Sequence, residues 1–432
     1  MLFKDITILD ENLEIQEHRY VGIKEERVYY IGREAPAEDY GEVYDGSGRL
    51  LMSAFFNAHA HSPMTLMRGY GENLSLSSWL NDRIFPFEDC LTGEAVYWAT
   101  LLGLAESLRF GIVSSTDMYY FCDDMARAVL ESGVKNNLGR GITCFTDQPL
   151  EELASFRECR SLFECYHGAG GGKLLVDVSL HAEYTSNPVI AGGLADYAKK
   201  IDAGMHVHVS ETKSEHEECK ARHGGMTPVQ YLNHLGLFDV RTTAAHCVWV
   251  EERDMDILAE KQVTAASCPI SNLKLASGVC NAPALLEKGV NVALGTDSVA
   301  SNNNLNFMEE IKAYALIHKT KWEDPTLITP KEALRAATLA GAHSQGRTDT
   351  GKLAEGMRAD LIVLDISGPH MSPVHNMVNN LVYSASGSDV VLTMADGKVL
   401  YRDGEFTTID LEKVKYHVER FRLGILDQLG RK

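Results

Sequence analysis

Polar and apolar positions change rhythm twice along this chain. Over residues 1–50, short alternating runs at 6–9, 20–23 and 28–31 are separated by turn formers and closed by Asp45-Gly46-Ser47-Gly48. Alternation with period two marks half-buried strands, so this stretch predicts a small antiparallel element. From residue 51 the runs become almost wholly apolar and alternate with amphipathic stretches. Strands are expected at 51–57, 112–117, 141–146, 174–181, 205–209, 242–246, 263–267 and 290–295, with helices such as 94–110, 123–132, 188–200 and 251–261 between them. Strands lacking polar alternation are buried on both faces, as parallel strands covered by crossover helices are. Eight such units over about 250 residues favour a closed (β/α)8 barrel over an open doubly wound sheet. Beyond a helix expected at 329–341 the texture reverts to β at 351–357, 359–365, 390–394 and 398–402.

The fold class is therefore α/β, a TIM-type (β/α)8 barrel with a small β-sandwich built from both chain ends. Residues 1–52 and 351–408 supply the two halves of the sandwich, 53–350 the barrel, and 409–432 a C-terminal helix. The run His167-Gly-Ala-Gly-Gly-Gly-Lys173 has no Ser/Thr and no helix after its lysine, so it reads as a lead-in to a strand and not as a phosphate loop.

Composition narrows the function. Hydrophobic residues are 45% and charged residues 23% of 432, which excludes collagen-like, coiled-coil and largely disordered chains. The formal net charge of −19, with no local basic patch, argues against nucleic acid and anionic membrane as partners and leaves a small molecule. The opening residues lack a signal-peptide core, no apolar run is long enough to span a bilayer, and the nine cysteines form no CxxC pair. Reduced thiols in a cytoplasmic protein are expected. Apolar barrel helices are compatible with a homo-oligomer.

In a parallel barrel, functional groups gather at the C-terminal ends of strands. The first expected strand ends in Asn57-Ala-His59-Ala-His61, the fourth in His181, the fifth in His206-Val-His208-Val-Ser-Glu211, the sixth in His246 and the eighth in Gly295-Thr-Asp297. His59 and His61 are two apart, so both point into the barrel mouth. A third His with a carboxylate completes a Zn²⁺-type site with one position open for water, and His208, His246 and Asp297 stand at the ends of separate strands to supply them. His208, not His206, is read as the ligand, because Glu211 lies three residues on. His206 sits a layer deeper and is read as a core histidine. The fourth strand ends in His181 where bimetallic hydrolases of similar layout carry a lysine, so one ion is expected. Such an ion makes water acidic, His246 and Asp297 orient it, and Glu211 delivers a proton to a ring nitrogen beside the attacked carbon. Loss of an amino group as ammonia would complete a hydrolytic deamination.

These residues resemble the amidohydrolase superfamily and, within it, the 5-methylthioadenosine/S-adenosylhomocysteine deaminases. The likeness spans nearly the whole chain. It rests on Asn57-Ala-His-Ala-His61, Trp79-Leu80 with Phe87-Glu88, Ser115-Thr-Asp-Met118, His208-Val-Ser-Glu211, Cys268-Pro-Ile-Ser-Asn-Leu-Lys-Leu-Ala-Ser-Gly278, Gly295-Thr-Asp-Ser-Val-Ala-Ser-Asn-Asn-Asn304 and Gly351-Lys-Leu-Ala-Glu-Gly-Met-Arg-Ala-Asp-Leu-Ile-Val363. The resemblance implies one Zn²⁺ per chain (Fe²⁺ as the alternative) on His59, His61, His208 and Asp297, with Glu211, His246 and Asp297 catalytic. It implies substrate contacts from Glu88 to the ribose hydroxyls, Arg140 to the 5′ substituent, and His181, Trp79, Asn304 and Glu211.

One departure shapes the expected substrate. Family members that accept S-adenosylhomocysteine tend to carry a second arginine about a dozen residues past the first. Here Gln148-Pro-Leu-Glu-Glu-Leu153 occupies that stretch, and Arg157 is the nearest candidate. An amino-acid carboxylate needs a guanidinium partner, which Glu151 and Glu152 would oppose. Methylthioadenosine, 5′-deoxyadenosine and adenosine are therefore expected ahead of the homocysteine conjugate. The alternative is an aminohydrolase of a free pterin, guanine or triazine using the same site. The stretch 69–78, with Gly69 and Gly71, is the expected lid.

Overall fold

The computed structural model describes residues 1–431. The N-terminal β segment is β1 Leu2–Leu9, β2 Ile15–Lys24, β3 Arg27–Gly32, β4 Val43–Asp45 and β5 Arg49–Ser53. The chain then crosses into the barrel. Its strands are β6 Phe55–Ala60, β7 Ile112–Tyr119, β8 Lys135–Ile142, β9 Leu174–Val176, β10 Val178–Ala182, β11 Met205–Val209, β12 Thr242–His246, β13 Thr264–Ser267 and β14 Asn291–Leu294. Four more follow, β15 Leu361–Asp365, β16 Val390–Ala395, β17 Lys398–Arg402 and β18 Glu405–Phe406, before a helix at Leu411–Arg431.

The barrel sheet runs β14-β13-β12-β11-β10-β8-β7-β6, all in parallel, with β9 paired to β8. Every residue of β6 and β7 is buried, because the outer face is covered by helices and the inner face fills the barrel. Closure between the first and last strands is made by a single parallel bridge of Ala60 with Asp297, where the Asp297 amide donates to the His59 carbonyl at 3.0 Å. The seam of the barrel thus brings one candidate ligand against another.

The chain ends join in one nine-stranded mixed sheet, ordered β18-β17-β16-β15-β5-β1-β2-β3 with β4 on β1. It folds back on itself. The turn before β3 meets the β16–β17 turn so closely that a Cβ at Gly397 (φ +71°) would lie 2.0 Å from the Glu25 carbonyl oxygen. Phe3, Ile6, Val21, Leu361, Val363 and Leu392 share the core this encloses. Lys135, at the start of β8, is buried between Asp360 and Asp396, the latter at 2.7 Å, and ties the bottom of the barrel to this sheet. No helix among the described residues is long and apolar enough to cross a membrane.

Several boundaries differ from the sequence reading. The run 51–57 is two strands, since the chain changes sheets at Ala54 without any drop in hydrophobicity. The third barrel strand is Lys135–Ile142 and not 141–146. The segment 174–181 breaks at Asp177, whose carboxylate pairs with Arg241 at 2.5 Å. Residues 351–357 form turns, and the helix expected at 329–341 is two, Pro330–Ala337 and Leu339–Ser344, bent at Thr338 (ψ −90°).

Candidate metal centre and substrate cavity

The strand ends converge as the alternation requires. His59 and His61 flank the end of β6, His208 lies one residue before the end of β11, His246 ends β12, and Asp297 follows β14. Three turns here use the left-handed region without glycine: Ser210 (φ +48°), His246 (φ +73°) and Asp297 (φ +59°). Such backbone costs about 1–3 kcal/mol per residue and persists where the surroundings over-determine it, which is typical of working sites.

His59 Nε2 and His61 Nε2 lie 3.4 and 3.3 Å from Asp297 Oδ1, and His208 Nε2 lies 3.4 Å from His61 Nε2. The ligand atoms of His59, His61 and His208 all lie within 4.8 Å of one another, as do those of His59, His246 and Asp297. The outer ring nitrogens are already engaged. His61 Nδ1 meets the Met118 carbonyl at 2.6 Å, His208 Nδ1 the His181 carbonyl at 2.7 Å, and His59 Nδ1 meets His206 Nε2 at 2.9 Å. A ring nitrogen bonded to a carbonyl must carry the hydrogen, so in the neutral ring the opposite Nε2 of His61 or His208 is a lone pair. Burial drives the His59 ring down to about 3 and His208 well below its ordinary value, keeping both neutral, whereas at His61 burial is outweighed by the Asp297 carboxylate and the ring is raised. His59 Nε2 is buried without any hydrogen-bond partner. Imidazole nitrogens converging beside a carboxylate are, once deprotonated, the donor set of a divalent metal, and the cluster fits one.

Asp297 is fixed from behind, with its Oδ2 accepting from Ser271 Oγ at 2.5 Å and from Ser301 Oγ at 3.0 Å. Burial works against its charge, but the His59 and His61 rings beside its Oδ1 hold it well below the usual carboxylate range. Glu211 sits 3.7 Å from His246 Nε2 and accepts from Ser277 Oγ at 3.3 Å. Burial raises its pKa, which favours the protonated acid. His246 Nδ1 faces the Asn272 amide at 3.1 Å.

A cavity of about 750 Å³, its mouth included, opens over this cluster. His61, His208, Glu211, His246 and Asp297 form its floor; Glu88, His181 and Trp79 line its walls. Burial pushes Glu88 up to about 7, with the Tyr119 hydroxyl and His61 opposing, and burial takes His181 down to about 4. The expected lid at 69–78 overlaps the wall only partly: the helical segment from Leu76 to Glu88, widened by one turn at Leu80–Ile84, supplies Leu76, Trp79, Leu80, Ile84 and Phe85.

Two expected contacts lie elsewhere. Asn304 is outside the cavity: its Oδ1 accepts the Asn306 amide at 2.8 Å and its Nδ2 donates to Glu309 at 3.0 Å, holding the turn that leads into the next helix. Arg140 lies in β8, two residues before its end. It pairs with Glu158 at 2.5 Å, stacks on the Tyr120 ring at 4.8 Å, and lines a neighbouring cavity that shares Tyr120 with the main one. Arg157 is folded outward, donating to the Glu151 and Glu152 carbonyls at 3.3 and 2.8 Å. His206, read as a core histidine, is fully buried but bonded to a candidate ligand; the period-two spacing His206-Val-His208 is the signal that places it there.

The sequence profile of the amidohydrolase family matches residues 50–400. The chain is 40% identical over 420 residues to a 5-methylthioadenosine/S-adenosylhomocysteine deaminase of Dictyoglomus thermophilum, covering 97% of each. It is 40% identical over 388 residues to a 5'-deoxyadenosine deaminase of Methanothermobacter thermautotrophicus, covering 90% of each. Among solved structures, an adenosine deaminase from Xanthomonas campestris with bound zinc superposes with a TM-score of 0.91 at 30% identity, over 99% of this chain and 98% of that one.

Proposed function

Because the chain belongs to the amidohydrolase family, we propose that it hydrolyses the 6-amino group of adenosine-type nucleosides, releasing ammonia and the inosine analogue. Methylthioadenosine, 5′-deoxyadenosine and adenosine are the substrates, ahead of S-adenosylhomocysteine. The observation that carries this reading is the pairing, in one cavity, of the His59–His61–His208–Asp297 cluster with Glu211 at the floor and Glu88 in the wall. The names of the similar proteins support it.

His59, His61, His208 and Asp297 would hold one Zn²⁺. A bound divalent ion supplies Lewis acidity that brings the pKa of water near neutrality. The residues do the rest. Glu211 keeps a proton for purine N1, so that electrons displaced from C6 by the incoming water oxygen end on a neutral nitrogen. His246 and Asp297 stand on the water's side of C6, orient it and take its proton. Asp297 then passes that proton to the amino nitrogen, and the C6–N bond breaks with its electron pair leaving on ammonia. The oxygen closes to the C6 carbonyl as its remaining proton returns to the Glu211 carboxylate. Glu88 accepts both ribose hydroxyls when ionised, and Trp79 and His181 bound the nucleoside. The outward fold of Arg157 leaves the 5′ end without a second guanidinium, which is the reason a free carboxylate there is disfavoured.

Glu88→Ala tests the nucleoside reading. Loss of nucleoside turnover with full zinc content is expected. Unchanged turnover, or activity confined to a free pterin, guanine or triazine, would point to the same centre serving a heterocycle without a ribose.

A further inference from the structure

We infer that His206 is a positioning residue that fixes the tautomer of His59 and thereby frees His59 Nε2 to ligate the metal. This rests on the metal reading above. His59 and His206 are both fully buried, and their rings meet edge-on at 78° with His59 Nδ1 2.9 Å from His206 Nε2. Only one of those two nitrogens can carry the hydrogen. If it is on His59 Nδ1, His59 Nε2 is a lone pair facing His61, His208 and Asp297. If it is on His206 Nε2, His59 must carry its own hydrogen on Nε2, where it would point at Asp297 Oδ1, 3.4 Å away, and block ligation.

His61 and His208 have no such ambiguity, because each meets a backbone carbonyl, which can only accept. His59 is the one ligand whose outer partner is itself a side chain with two tautomers. The barrel sets the pair up by register. His206 lies beside Ser179 of β10 and Thr243 of β12, one layer below His208, and its side chain points inward on the same face. Its other nitrogen, Nδ1, is buried with no hydrogen-bond partner, so nothing else in the barrel claims this ring. A buried polar side chain with a single partner has its position set by that partner. Outer partners of this kind orient the ligating imidazole and raise its basicity.

The test is zinc affinity of the full chain, read by competition with a chelating chromophore and independent of turnover. Gln places an acceptor oxygen near the position of His206 Nε2; Met has the same length and none. H206M is expected to bind zinc about 10- to 100-fold more weakly than the parent, and H206Q to recover most of that loss. Equal affinity of H206M and parent, or equal weakening of H206M and H206Q, overturns the inference, since either means that His206 only fills space. Should H206M not fold, ¹⁵N-histidine NMR of the parent decides: hydrogen on Nδ1 of both rings is expected, and hydrogen on His206 Nε2 overturns the assignment. A parent that binds no zinc defeats the metal reading itself, and this inference with it.

Discussion

Glu211 Oε2 stands 3.7 Å from His246 Nε2, with an acid raised by burial facing a ring held by Asn272. The pair spans the gap between the metal cluster and the cavity, so the two proton-handling groups flank the space above the candidate ion. Glu211→Gln keeps the shape and removes the transferable proton. A fall in kcat of about 10²–10⁴-fold is expected with zinc content unchanged, as general-acid contributions usually are. Steady-state kinetics with metal analysis on the same preparation checks it; retained kcat would remove Glu211 from the chemistry.

Glu88 is pushed up to about 7 by burial. Below that pH it is protonated and has lost one of the two acceptors offered to a ribose diol; above it, it is the carboxylate. The expected kcat/KM for nucleosides therefore falls as pH drops through about 7, and Glu88→Gln should be weak and lack this limb. A parent profile flat across that range, or an unaltered limb in Glu88→Gln, contradicts the role.

Lys135 neutralises Asp360 and Asp396, and all three are at most 2% exposed. Lys135→Met leaves Asp360 buried without its cation and Asp396 with Arg358 as its close partner at 2.9 Å, a loss of about 3–5 kcal/mol. Denaturant midpoints should drop accordingly, while replacing the Lys and both Asp by apolar residues of similar size should recover much of the loss. An unchanged midpoint in Lys135→Met would mean that the network is solvated.

Arg157 donates to two carbonyls of its own loop. Arg157→Ala should therefore leave the ranking of 5′ substituents unaltered, with S-adenosylhomocysteine below methylthioadenosine in both proteins. A selective collapse of the homocysteine conjugate in the variant would show that the arginine swings inward.

Where the sequence is explicit, the structure follows it. β11 and β12 have the boundaries expected from their apolar runs, and the two-residue spacing of His59 and His61 places both at the mouth. Where tertiary partners decide, the sequence is silent. The strand Lys135–Ile142 begins Lys-Asn-Asn, which reads as loop; Asn136 and Asn137 are tolerated inside the barrel because Asp117 and Asp177 accept their amides at 2.6 and 2.9 Å. Asn304 carries a family motif but spends its side chain on the turn before a helix and on Glu309. The two outer carbonyls that orient His61 and His208 belong to Met118 and His181, and a backbone oxygen leaves no trace in residue type.

The most direct test of the whole account is ammonia release by the zinc-loaded protein, with kcat/KM for methylthioadenosine, 5′-deoxyadenosine, adenosine, S-adenosylhomocysteine, guanine and a pterin. Turnover of the nucleosides, with the neutral 5′ groups leading and the free bases inert, is the expected result. Turnover of the free bases alone would contradict it.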